Sequence, residues 1–176
     1  MDELLAYLMA ATVQLSGLPA LTERPPVTPM PYQKMLVEIC ADLKEESVRM
    51  LAQYDLCTHG QSVADKNCEA LKPDPEPYAQ CTSQTGLVAA YILEQRRIVY
   101  RDDLNLENDA DNSFIVHEFV HALQDAQHGG KMFDTCAGVI AAEREAYSVQ
   151  QRYLYFRGQM LRVGERLRMV GCEGLQ

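Results

Sequence analysis

The sequence has few basic residues, few histidines and no long apolar run. Lysine and arginine number 16 against 25 acidic residues, for a net charge of −9. That balance leaves no basic patch for a phosphate backbone, so nucleic acid is excluded as a partner. No run of eighteen apolar residues occurs, which excludes a membrane-spanning helix. None of the six cysteines forms C-x-x-C, so neither a zinc knuckle nor a thioredoxin-like site is expected. The acidic stretch 102–112 does not have the EF-hand pattern, and its side chains are expected to cap a helix through Asp111, Asn112 or Ser113. No basic segment followed by an apolar one opens the sequence, so an exported form would be one whose leader has been removed.

The chain of 176 residues fits one domain, 1–176, with an adequate core. Its cysteines, at 40, 57, 68, 81, 136 and 172, are even in number and widely spaced. Two or three disulfides are expected, and with them an exported protein, periplasmic or extracellular. Leu4, Leu5, Leu8, Ala11 and Leu15 predict a helix over 2–16, ended by Gly17 and Pro19. Five prolines between 19 and 31 predict an extended connection with room for a short edge strand at Val27 and Thr28. A helical stretch over 31–54 and a long loop over 55–86 follow. Residues 87–101 read as a β-hairpin, rich in β-branched and aromatic residues. Helices are expected over 113–128 and 134–156, the second capped by Asp134 or Thr135 and broken at Arg157-Gly158. Residues 159–170 read as a last amphipathic segment through Met160, Leu161, Leu167 and Val170. The class is therefore α+β, mainly α, with a small sheet.

Two of the four histidines stand in His117-Glu118-Phe119-Val120-His121, an H-E-x-x-H pattern inside an apolar helical stretch. Positions four apart lie one turn apart on one helix face, so both imidazoles can reach one metal ion. Glu118, beside the first ligand, can hold and deprotonate an attacking water. Catalytic zinc takes three protein ligands and keeps a fourth position open. The downstream candidates for the third ligand are Asp125, His128, Asp134, Glu143 and Glu145. His128 stands just before Gly129-Gly130, where a cation at a helix C-terminus is the simpler reading. Glu143 shares a face with Ile140, Tyr147, Gln150 and Leu154 and so turns inward. Glu145 tilts toward Ser148 and Arg152. An inward carboxylate needs a partner, which makes Glu143 the better candidate.

H-E-x-x-H followed by E-x-x-A over Glu143–Ala146 resembles the gluzincin group of zinc metallopeptidases, and the run Val116–Asp125 resembles bacterial proteins of this type. The resemblance covers about residues 87–157. It implies a zincin-like domain binding one Zn²⁺ per chain through His117, His121 and Glu143, with Glu118 as general base and a peptide or protein as substrate. It also implies that an edge strand before the motif helix pairs with extended substrate. The aspartate common after E-x-x-A in that group is Tyr147 here, leaving Asp125 or Gln124 to support a histidine. Tyr147, Tyr153 and His128 are candidate oxyanion donors. Peptide deformylases also use H-E-x-x-H, with an upstream cysteine as ligand. Cys81 lies upstream but lacks the flanking glycine and leucine. A disulfide-stapled binding module with a structural zinc is the non-enzymatic rival.

Overall fold

A computed structural model describes residues 1–42 and 87–165, together with Leu167 and Cys172. Helix α1 spans Asp2–Ser16, as the leucine spacing predicts. It buries Leu5, Leu8 and Thr12 and ends at Gly17, whose φ of 74° suits a residue without a Cβ. The proline-rich connection leads into strand β1 (Val27–Met30), and helix α2 follows (Tyr32–Asp42). The remainder of the expected 31–54 helix and the expected 55–86 loop, with Cys57, Cys68 and Cys81, lie outside the described residues. The predicted hairpin is present as β2 (Ala89–Ile92) and β3 (Arg97–Arg101).

The three strands form a sheet in the order β1-β3-β2. β1 runs parallel to β3, pairing Val27 with Ile98, and β2 runs antiparallel to it, pairing Ala89 with Tyr100. Pro29 lies on the edge strand β1, where a missing N–H is tolerated. Successive side chains alternate between faces. Ile98 and Tyr100 pack with α1 and two later helices, α3 (Asp109–His128) and α4 (Cys136–Phe156), while Val99 packs with Met35 and Ile39 of α2. The sheet is thus covered on both faces. Arg101 donates its backbone N–H to Val88 O at 3.0 Å. With the antiparallel alternation, the N–H groups of Ala89 and Tyr91 must then point off the sheet's free edge.

The motif helix α3 starts earlier than the sequence suggests. Asn108, not Asp111, Asn112 or Ser113, is its cap, accepting from Ala110 N at 2.9 Å. Asp111 instead accepts from Asn105 N across the preceding loop, and Asn112 and Ser113 are buried inside the helix. Asp109 and Asp111 place negative charge in the first turn, where the helix dipole favours it. Gly129 caps the other end at φ 67°. A 3-10 turn, Lys131–Asp134, leads to α4, which Thr135 caps through Gly138 N. α4 stops at Arg157 and Gly158, as read from the sequence.

Residues 159–164 form no helix. Against the amphipathic reading, Met160 and Leu161 are exposed; Leu167 is buried, and Val170 lies outside the described residues. The segment is clamped from the side by Gln151, which donates to Leu161 O and accepts from Val163 N, bonds that satisfy the backbone without a helix. It turns at Gly164 (φ 70°) against the Tyr147 ring. Cys172 closes a disulfide with Cys136 at the start of α4. No helix among the described residues is long and apolar enough to cross a membrane.

Candidate metal centre

α3 is buried along most of its length, with Ile115, Val116, Phe119 and Val120 wholly inaccessible. His117, Glu118 and His121 are buried with them, at 7%, 8% and 7% exposure. Polar side chains in such a place need partners, and each has one. His117 Nε2 lies 3.2 Å from Glu143 Oε2 and His121 Nε2 3.3 Å from Glu143 Oε1. The two Nε2 atoms are 3.1 Å apart. One donor atom from each of His117, His121 and Glu143 lies within 4.8 Å of the others, a grouping that can hold a metal ion. The Glu143 side chain is 32% exposed, so the grouping opens toward solvent.

The far side of each imidazole is held by a glutamine. His117 Nδ1 is 3.1 Å from Gln150 Oε1, and His121 Nδ1 is 2.9 Å from Gln124 Oε1. The amide orientations are set by their other partners. Gln124 Nε2 donates to Ala142 O at 3.1 Å, and a carbonyl can only accept. Ser113 Oγ donates to Ala110 O at 2.6 Å, which leaves it to accept from Gln150 Nε2 at 3.0 Å. Both Oε1 atoms therefore face the rings, and both Nδ1 atoms carry hydrogen. The Nε2 lone pairs of the neutral rings then converge on a carboxylate. Three acceptors facing one another are stable only with positive charge among them. Without a metal, that charge is a proton. Burial lowers the His121 pKa, but the charge of Glu143 and its hydrogen bond outweigh that and push it up to about 9. Burial likewise raises Glu143, but the imidazoles outweigh it and hold its carboxyl well below the usual range.

Glu118 points the other way, to the sheet. Its Oε2 accepts from Tyr91 N at 2.7 Å, using the amide that the strand register turns off the free edge. Burial pushes its pKa up, against the lowering effect of the two imidazoles. Asp125 does not support a histidine. It accepts from Tyr91 OH at 2.9 Å and pairs with Arg96. Of the two substitutes suggested for the missing aspartate, Gln124 is the one that touches a ring. Glu145 accepts from Gln124 Nε2 at 2.8 Å and is not among the three converging residues.

Tyr147 packs edge-on against His117, with ring centroids 4.5 Å apart. Tyr153 OH is turned to Asp109, and His128 is exposed at the end of α3. Asp134 lies in the 3-10 turn outside the grouping, and Cys81 lies outside the described residues. Gln150 is the contact that sequence reading missed. It was visible only as a polar residue two turns beyond Glu143 on an otherwise inward face. Compared with family models, curated proteins and solved structures, the chain matches none of them.

Proposed function

We propose that the chain is a zinc-dependent peptidase of the gluzincin type, with His117, His121 and Glu143 as ligands of one Zn²⁺ and Glu118 as general base. The observation that carries this reading is the convergence of two imidazole lone pairs and a carboxylate, each ring fixed from behind by an amide. That donor set suits zinc. A purely structural zinc would be closed by a fourth protein ligand. Among the described residues three gather, and Glu143 leaves the group open on one side.

Bound there, zinc would supply Lewis acidity, polarising a scissile carbonyl and lowering the pKa of a water to about 7. Glu118 takes the proton of the attacking water and passes it to the leaving amine. Tyr91 N–H holds one of its oxygens and leaves the other for that task. Its raised pKa suits a group that must both take and release a proton near neutrality. The free edge of β2 lies beside Glu118, which takes its Tyr91 N–H, so an extended peptide adding there as a further strand would pair through the remaining edge groups. The Cys136–Cys172 disulfide supports an exported protein.

The test is metal content by elemental mass spectrometry together with hydrolysis of a fluorogenic peptide library. One zinc per wild-type chain, none in Glu143→Ala, and cleavage reduced by about 10²–10⁴ in Glu118→Gln with zinc retained are the expected results. Stoichiometric zinc without cleavage of any peptide, or no zinc after reconstitution, would overturn the proposal.

A further inference from the structure

The two imidazoles face one point but are backed by unlike chains of hydrogen bonds. Behind His117 the chain runs through Gln150 and the Ser113 hydroxyl to the backbone carbonyl of Ala110, and every member is neutral. Behind His121 it runs through Gln124, whose amide nitrogen has two hydrogens and two acceptors. One is Ala142 O at 3.1 Å and the other is the Glu145 carboxylate at 2.8 Å. This second chain ends on a negative charge.

We infer that Glu145 is a positioning residue of the centre, acting on His121 through the Gln124 amide. The inference rests on the proposed metal site. A carboxylate that accepts from an amide N–H polarises the amide and makes its carbonyl oxygen a stronger acceptor. That oxygen then draws harder on the Nδ1 hydrogen of His121, and Nε2 becomes a better donor to a metal. Orientation and charge are separable here. Ala142 O alone holds the amide the right way round, so neutralising Glu145 removes polarisation and leaves the ring in place. His121 is in consequence the stronger imidazole ligand and His117 the weaker. One helix thus supplies both a ligand, Glu143, and the charge behind the ligand opposite it.

Zinc affinity measured by chelator competition at fixed pH tests this, on wild type, Glu145→Gln, Gln124→Leu and the exposed control Glu107→Gln. A second readout is the Nδ1–H proton resonance of each histidine in the metal-free protein. We expect about threefold to tenfold weaker zinc binding in Glu145→Gln, about tenfold to hundredfold in Gln124→Leu, and wild-type affinity in Glu107→Gln. In Glu145→Gln the His121 resonance moves and that of His117 stays. Equal affinities for Glu145→Gln and Glu107→Gln, with the His121 resonance unmoved, would overturn the inference while leaving the metal site intact. If wild type binds no zinc, the metal site itself falls, and the His121 resonance alone decides whether Glu145 acts through Gln124.

Discussion

α3 and α4 bring their functional groups to the same few ångströms but are built on different terms. α3 lies inside the molecule. Its candidate ligands alternate with core residues, so that Val116, Phe119 and Val120 are wholly buried around His117 and His121. α4 lies between core and solvent. It buries Ala142, Ala146 and Val149 while Glu143 remains one-third exposed. Its start is tied by the disulfide to Cys172, and its outer flank meets the segment that turns at Gly164. A helix held by burial cannot change its core side without moving its ligands. A helix half in water can exchange a ligand and keep its fold. Damage to α3 should therefore appear as unfolding, and damage to α4 chiefly as lost metal.

The largest effect is expected from Phe119→Ala. This fully buried ring is part of the cluster joining α1, the sheet and α4. Its loss should cost about 3–5 kcal/mol of stability in denaturant titration, with zinc lost only as the protein unfolds. Glu143→Ala should do the reverse, abolishing zinc uptake while leaving a folded protein. Equal loss of stability in the two variants would erase the distinction. Next comes the disulfide. Reduction, or Cys136→Ala with Cys172→Ala, should cost about 2–4 kcal/mol. Hydrogen exchange should locate the loosening at the N-terminal turn of α4 and leave α3 protected. Uniform loosening would show that the two helices are not separately held.

A pH scan sharpens the contrast. In the metal-free protein the folded His121 pKa, about 9, lies above its ordinary 6.5. The folded state holds that proton more tightly, so its contribution to stability is complete below pH 6.5 and is lost as pH rises to about 9. Glu143, held below the usual carboxylate range, contributes the opposite way and loses its share as pH falls through acid. The melting temperature in chelator should therefore decline between pH 6.5 and 9. With zinc bound the decline should vanish, and the metal should instead be released on acidification as the imidazoles reclaim protons. An identical pH profile with and without zinc would mean that the three side chains do not share one cation.

The unequal legibility of the site has the same origin. H-E-x-x-H is readable because His117 and His121 are neighbours by helix period alone, and Glu143 stands out because a carboxylate on an inward face requires a partner. The choice between Glu143 and Glu145 followed from helix phase, yet Glu145 is also engaged, through an amide from the other helix. Gln150 belongs to a contact 33 residues apart in sequence, which no local period encodes. The α3 cap was misplaced because the loop before it offers Asn108, Asp109, Asp111 and Asn112, all able to cap. Long-range packing selects among them. The small sheet was legible as a hairpin through its β-branched content. The parallel pairing of β1 with β3 depends on residues 71 apart and has no local signature.

The smallest expected effect tests whether the contact of α4 with the Gly164 turn, made through Tyr147, reaches the proposed metal site. Gly164 adopts φ 70°, and a Cβ there would lie 2.6 Å from Tyr147 Cγ. Gly164→Ala must then bear left-handed backbone strain of about 1 kcal/mol and also displace the ring. Tyr147 packs edge-on against His117, whose Nδ1 is held by the neutral Gln150 chain rather than by one that ends on a charge. The variant should melt a few degrees lower and bind zinc severalfold more weakly, with the His117 Nδ1–H resonance moving and that of His121 staying. This pattern is the mirror image of that expected for Glu145→Gln. A drop in melting temperature with unchanged zinc affinity would confine Gly164 to holding the fold, and the contact between Tyr147 and His117 would then be packing alone.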